Sequence, residues 1–336
     1  MISRRLRLVF LALFFVSIAA ACSVLIAPDE FYAAGVLALT IPVWVTLDIL
    51  ALAFLAWKRS RWMYLPLAAL AISLPLLLKS FSFGEKGDPQ PSFKLISYNT
   101  NALGYFRDST TYHANREAFR DWVLKNGYDV YCFQEFADVN KQPLEIPGYT
   151  RLSSVKVTKE GHHLGLFIYT RLPVIRQDKI EFAFNSYNRV MWADLAFAND
   201  TIRVVNAHLV SYDFDEHSIR QNLKKVRNAL RARSWHSKLL ERFIKESAHS
   251  LVLCGDFNEL PQSYPYLKIN GLLKDAFATS GEGYGYTYRF KGVPVRIDHI
   301  FVSKELETGD YEIIQDRLWS DHRPLSIRIG RRGRDE

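Results

Sequence analysis

Ser250-Leu251-Val252-Leu253-Cys254-Gly255-Asp256-Phe257-Asn258 is the stretch from which the rest of this chain is read. Its first five residues form a short apolar run of the kind that makes a buried strand. Glycine then permits a sharp exit from that strand. Asp256 and Asn258, two apart, share a side if the chain stays extended. A carboxylate there can bind a cation or take a proton from water, and a carboxamide can donate to a phosphate oxygen. Taken alone, the tetrapeptide 255–258 reads equally well as an Asx turn closing a strand.

The same arrangement recurs along the chain. Asn99 ends the run 93–98, Gln134-Glu135 ends 130–133, and Asn206-Ala207-His208 ends 202–205. Ser320-Asp321-His322 precedes Pro324 and a last strand at 325–329. Asp298 sits inside the apolar run 296–302, where a charge is costly unless paired; an imidazole is the natural partner. His299 alternates to the other face and reads as structural. Each cluster alone is an ordinary strand end or turn. Their repetition at run ends points to one sheet edge where acids, amides and imidazoles converge. That set suits a hard divalent cation and phosphate-ester cleavage.

Strands are expected at 93–98, 130–133, 164–169, 191–197, 202–207, 250–254, 296–302 and 325–329. Helices are expected at about 112–125, with Phe119, Trp122 and Val123 on one face, and at about 218–245, with Leu223, Val226, Leu230, Leu239 and Leu240 as its stripe. Mixed strand order with few helices, lacking strict βαβ alternation, argues for an α+β fold of stacked sheets covered by helices.

The first part of the chain differs in kind. Residues 8–27 are uncharged and long enough to cross a bilayer core; 31–57 and 62–78 are further apolar runs, interrupted by Pro42 and Asp48 and by Pro66 and Pro75. Three transmembrane helices are expected within a segment 1–78, followed by a linker 79–92 rich in Gly and Pro, a soluble domain 93–330 and a basic tail 331–336. Arg4, Arg5 and Arg7 precede the first span and Lys58, Arg59 and Arg61 the third, whereas Pro28-Asp29-Glu30 carries no positive charge. The positive-inside rule then puts the N-terminus in the cytoplasm and the soluble domain outside it, at the inner or plasma membrane of a bacterium. A cleaved signal peptide fits poorly, because further spans follow and Ala19-Ala20-Ala21-Cys22 lacks the leucine of a lipoprotein site. Asp48 reads as a packing or snorkelling residue.

Net charge is +8, with +3 carried by 1–92 and +5 by the remainder. A mildly basic domain is compatible with a phosphate-bearing substrate. No dense basic stripe with interleaved aromatics marks it as a nucleic-acid binder. Cys132 and Cys254 lie in strand-like runs and Cys22 in the first span; no Cys-x-x-Cys metal spacing exists, and no disulfide framework is expected.

Together these residues carry a resemblance. From 93 to 329 the chain resembles the endonuclease/exonuclease/phosphatase superfamily of metal-dependent phosphoesterases. It does so through Ile96-Ser97-Tyr98-Asn99, Cys132-Phe133-Gln134-Glu135, the strand 165–171, Asn206-Ala207-His208-Leu209, Gly255-Asp256-Phe257-Asn258, Ile297-Asp298-His299-Ile300 and Ser320-Asp321-His322, in that order. The resemblance implies a four-layer α/β/β/α sandwich with the site at one end of two packed sheets. It implies Mg2+, with Mn2+ as a substitute, held mainly by Glu135 with Asn99 and Asp321. Asp256 and Asn258 would position water and the scissile phosphate. His322, oriented by Asp298, would contact the phosphate and support proton transfer. His208 would stabilise charge or protonate the leaving oxygen, and water would attack in line. Arg189 and Tyr212 are candidate substrate contacts. Expected partners are a phosphate-ester substrate (nucleic acid, phospholipid head group or small phosphorylated molecule) and the lipid bilayer; no obligate protein partner is evident. Nuclease-like action leads, a phospholipid or sphingomyelin-type phosphodiesterase follows, and an inactive scaffold module is the non-enzymatic alternative.

Overall fold

Two six-stranded sheets carry the soluble part of the chain. The computed structural model describes residues 2–85, 87–182, 187–212, 218–315 and 319–331. The first sheet runs, in spatial order, β15 (Leu306–Ile313), β16 (Leu325–Arg331), β2 (Ser92–Asn99), β3 (Val130–Asp138), β5 (His163–Thr170) and β4 (Thr150–Val157). The second runs β10 (Lys274–Asp275), β14 (Asp298–Val302), β9 (Ser250–Asp256), β8 (Asp200–His208), β7 (Arg189–Phe197) and β6 (Val174–Glu181). Two small ribbons pair β1 (Phe81–Phe83) with β11 (Glu282–Tyr284) and β12 (Tyr288–Phe290) with β13 (Val293–Val295). β2 and β3 are parallel, as are β8 and β9; the other pairs are antiparallel.

Alternation along the strands builds the layers. Leu95, Cys132, Ile168, Met191, Ala193, Val204, Val252, Cys254 and Ile300 face one another between the sheets. Tyr98, Tyr131, Phe133, Phe136 and Phe167 point outward from the first sheet and are covered by Phe119 and Val123 of α5 (Tyr112–Asn126). α5 stops at Gly127, whose φ of 60° supplies the left-handed cap. On the second sheet, Phe243 near the end of α6 (Ile219–Lys245) lies 6.0 Å from the Trp192 ring. The result is the expected α/β/β/α sandwich. β4, β6 and β15 were not expected from the sequence. β4 and β6 are edge strands, and charged positions such as Arg176, Asp178 and Lys179 hide the apolar signal.

The N-terminal helices are α1 (Arg4–Ser23), α2 (Tyr32–Leu39), α3 (Ile41–Trp57) and α4 (Tyr64–Leu78). The apolar run 31–57 is therefore two helices bent by 48°, not one. Pro42 at the start of α3 offers no N–H to the turn before it. The Thr40 hydroxyl donates back to the Leu37 carbonyl at 2.6 Å and accepts from Trp44 Nε1 at 2.7 Å. Among the described residues, two helices are long and apolar enough to cross a membrane, or three if the bent pair is one span. Asp48 is fully buried in this bundle and does not snorkel.

The chain divides into two compact units: Met1–Ser80 with Ser211–Leu239 and Glu259–Lys268, and Phe81–Val210 with Leu240–Asn258 and Ile269–Glu336. The break between Ser80 and Phe81 falls within the expected linker 79–92, and two segments from later in the chain join the helices. The expected linker also holds β1, which pairs with β11. Of the expected basic tail, Arg331 ends β16, and 332–336 lie outside the described residues.

Candidate active site

One row across the second sheet brings the chemistry together. Arg189 on β7 is in register with His208 on β8, His208 with Asp256 on β9, and Asp256 with Asp298 on β14. Residues in register on neighbouring strands share a face. In β7, Arg189 falls in alternation with Met191 and Ala193, which face the inter-sheet core. The row thus caps the end of that core.

The opposing sheet supplies Asn99 and, through a local distortion, Glu135. In β3, Cys132 and Gln134 face inward while Tyr131 and Phe133 face outward; strict alternation would send Glu135 outward too. The register with β5 shifts between Phe133 and Phe136, and Glu135 takes a φ of 47°. This bulge turns its carboxylate toward the row, at the usual cost of a strained non-glycine backbone. Beneath it, Gln134 Nε2 donates to Asn206 Oδ1 at 2.7 Å, and Asn206 Nδ2 donates to the carbonyls of Phe133 and Phe167, each at 3.0 Å. These amides tie the two sheets together under the site.

Asn99 Nδ2 donates to Glu135 Oε1 at 3.1 Å and to Asp256 Oδ2 at 2.9 Å. His208 Nε2 stands 3.4 Å from Glu135 Oε1 and 3.8 Å from Asp256 Oδ2. His322 Nε2 is also 3.8 Å from Asp256 Oδ2, while its Nδ1 contacts the two oxygens of Asp298 at 2.9 and 3.1 Å. The Asp298 pairing fixes which ring nitrogen is turned to the site. Burial, and then the charge of Asp298, push the Asp256 carboxyl up to about 6. Burial opposes charge on His322, but Asp298 and Asp256 together outweigh it and hold its pKa up to about 10. His322 is therefore an imidazolium at neutral pH in this arrangement.

Local backbone sets these side chains. Gly255 adopts a φ of 140°, and a Cβ there would sit 1.9 Å from the Ala207 carbonyl oxygen, so only glycine lets β9 pass β8 at this point. Asp256 Oδ1 accepts the Asn258 N–H at 2.9 Å, the Asx turn that the tetrapeptide announced. Asn258, with a φ of 52°, directs Nδ2 to the Leu209 carbonyl at 3.0 Å. The N–H groups of Ile297 and Asp298 both donate to Thr287 Oγ1 at 3.2 Å, and the Tyr288 ring lies 4.7 Å from that of His322.

Asn99, Asp321 and Tyr212 stand in the following contacts. Asn99 was expected to offer an oxygen to a metal; here its Nδ2 bridges two carboxylates and its Oδ1 accepts the Asn101 N–H at 3.0 Å. Asp321 accepts from Asn101 Nδ2 at 3.2 Å and belongs to neither group of ligating atoms found within 4.8 Å of one another among the described residues, which are Glu135, His208 and Asp256, and Asp256, Asp298 and His322. Tyr212 lies in the other compact unit, with the Arg233 guanidinium 4.2 Å from its ring centre. Asn101, Thr287 and Tyr288 escaped the sequence reading. Only Asn101, two residues after Asn99, stood near a cluster already singled out.

The site's donor set is two carboxylates with an imidazole, and it can hold a divalent metal. Residues 96–322 match the model of the Endonuclease/Exonuclease/phosphatase family, and residues 3–80 match a Domain of unknown function (DUF8431). Among solved structures, an endonuclease/exonuclease/phosphatase from Bacteroides vulgatus is 18% identical, with 72% of this chain and 100% of that one covered at a TM-score of 0.55. The mannosyl-6-phosphatase Bt3783 of Bacteroides thetaiotaomicron VPI-5482 is 16% identical, covering 71% and 99% at 0.53. D. rerio TDP2 complexed with single strand DNA product is 15% identical, covering 72% and 100% at 0.53. At such identities the likeness is one of fold. No curated protein matches the chain.

Proposed function

Because the chain belongs to the endonuclease/exonuclease/phosphatase family and is a metal-dependent phosphoesterase, we propose that it hydrolyses phosphodiester or phosphomonoester bonds by in-line attack of water, in the manner of a nuclease, while tethered to a membrane. The observation that carries this reading is the register row Arg189–His208–Asp256–Asp298, faced by Glu135 from the other sheet. The buried carboxyl of Asp256, pushed up to about 6 beside Asp298, is the mark of a carboxylate set short of cations. The donors fit a hard divalent ion, Mg2+ with Mn2+ as substitute, held by Glu135 and Asp256 with Asn99 orienting both. When bound, such an ion neutralises charge on phosphate oxygens and favours ionised water.

The chain's own groups then divide the work. Imidazolium His322, fixed by Asp298, donates Nε2–H to a non-bridging oxygen and stabilises charge building there. His208 stands where it can do the same or give a proton to the leaving oxygen. Asn258 and Asp256 bracket the place for water. Arg189 is buried, its Nη1 3.4 Å from Ser154 Oγ, and burial lowers its pKa despite Glu181. Beside His208, it supplies positive charge for a flanking anionic group.

The tether reading rests on the apolar helices, and its orientation on the positive-inside rule. Within the helical unit, Lys238 of α6 binds Asp29 at 2.8 Å, so the loop after α1 and this later segment share one side. Anchoring to a bilayer makes a phospholipid head group the second substrate reading. The test is a panel of DNA, RNA, sphingomyelin, phosphoinositides and simple diesters on the full chain in detergent, with Mg2+ or chelator. Activity should need the metal and vanish in Glu135→Ala. Full turnover in that variant would overturn the site assignment.

A further inference from the structure

α6 holds nine Lys/Arg against a single acid, Glu241. Within the compact unit that contains the N-terminal helices, one side of α6 is committed. Leu230 packs so close to Gly35 that a Cβ there would lie 3.0 Å from its Cδ2. Ser234 Oγ donates to Asp29 Oδ1 at 2.6 Å, and Lys238 Nζ binds Asp29 and Glu30 at 2.8 and 3.0 Å. Asp29 and Glu30 lie in the turn between α1 and α2, at one end of the apolar helices.

The same face continues toward the start of the helix, since Lys238 lies five whole turns after Arg220. Arg220, Lys224, Arg227 and Arg231 follow one another at spacings of four, three and four, which aligns them along one face over about 17 Å. All are exposed, and none makes an ion pair with a described residue. Like charges four apart repel on a helix, so an acid-free line of this kind calls for anions from outside the chain. Exposed Ile219, Leu223 and Trp235 flank the line, and tryptophan beside cations is the composition of a membrane-surface helix.

We propose that α6 is an interfacial helix whose Arg220–Lys224–Arg227–Arg231 line rests on anionic phospholipid head groups of the bilayer that the N-terminal helices cross. The occupant follows from three observations: charge complementarity, the flanking apolar side chains, and continuity through Asp29 with the end of α1. The inference rests on the tether reading and deepens it by naming a lipid class. α6 clamps to the loop end of the helices and holds the chain down by head-group charge, beyond what the spans provide.

The test uses the full chain with Cys22→Ala and Asn228→Cys, labelled with a fluorophore at 228, in liposomes of phosphatidylcholine with or without phosphatidylglycerol, each containing head-group-quencher lipid. Cys132 and Cys254 are buried and Cys22 exposed, which makes the labelling selective. Phosphatidylglycerol should increase quenching, salt should reverse it, and Arg227→Gln should weaken the contact about fivefold at low salt. The fourfold glutamine variant should abolish the effect while keeping catalytic turnover, which shows that it folds. Equal quenching in both lipids, or no change in the fourfold variant, overturns the proposal. So does quenching relieved by a single-stranded oligonucleotide but indifferent to lipid charge, which would make the line a nucleic-acid contact. Carbonate extraction separates the failures: a chain released from the liposomes refutes the tether, whereas a retained chain with an indifferent label refutes only the α6 contact.

Discussion

Glu135 shows how much a single residue decides. Its side chain reaches the row through one extra residue in β3 and a left-handed φ of 47°. Glu135→Gln keeps the shape and removes the charge, so turnover should fall by about three orders of magnitude with little change in melting temperature; an equal loss of both would mean a structural residue instead. In the proposed mechanism Asp298 acts through His322, which it contacts at 2.9 Å, and so is a positioning residue. Asp298→Asn should cut kcat by about a hundredfold while leaving KM nearly unchanged, since it costs charge and ring orientation but not substrate contact. Asp298→Glu should recover part of that rate; parity of the two variants would argue against the role. Gly255 admits no side chain against Ala207, so Gly255→Ala must push β9 off β8 and carry Asp256 with it.

At the level of elements, the aromatic face between α5 and the first sheet is a stabilising contact that a single substitution can test. Phe119 is fully buried, with ring centres of Phe133 and Phe136 at 4.9 and 5.5 Å. Phe119→Ala should cost about 3–5 kcal/mol, measured as a drop in denaturant midpoint, and less than about 1 kcal/mol would show that α5 does not cover the sheet. α6 carries a pH dependence of its own. Burial, and then the neighbouring charge of Arg233, push the His236 pKa down to about 3. In the unfolded chain that histidine takes up a proton below about 6.5. Its contribution is therefore complete above pH 6.5 and is lost as pH falls toward 3, at up to about 1.4 kcal/mol per pH unit. Melting temperature should decline between pH 6.5 and 4.5, more steeply in the natural chain than in His236→Phe; parallel slopes would discount the effect.

For the whole molecule, the proposed tether raises the question of the side of the membrane on which the site would work. Under the proposed tether, the arginines before α1 and the cationic loop before α4 argue for a cytoplasmic N-terminus, and three spans, with the bent pair counted as one, would put the site outside. A reporter fused after Leu78 should be active only outside the cytoplasm; a cytoplasmic signal would overturn the orientation. The division of the chain sharpens the point, since 211–239 and 259–268 pack with the helices themselves. Truncation at 93 would therefore remove Gly35 and Asp29 from beside Leu230 and Ser234, and the full chain is the proper object of assay.

The sequence by itself determined the class of fold and most of the chemistry. Apolar runs ending in Asn99, Glu135, His208 and Asp256 state the strands and their polar ends together, because burial and alternation act on neighbours in the chain. The edge strands β4 and β6 and the break between α2 and α3 were less legible, since charge on an open edge and a hydroxyl turning on its own backbone leave no apolar period. Only the tertiary structure decided the register that lines Arg189 up with His208, Asp256 and Asp298, the bulge that turns Glu135 inward, and the turn of Asn99 that makes it a bridge between carboxylates. It alone set Tyr212 under Arg233 and joined Lys238 to Asp29. Local periodicity records which residues are buried, but pairing between strands and charges far apart in sequence is chosen by the packed whole.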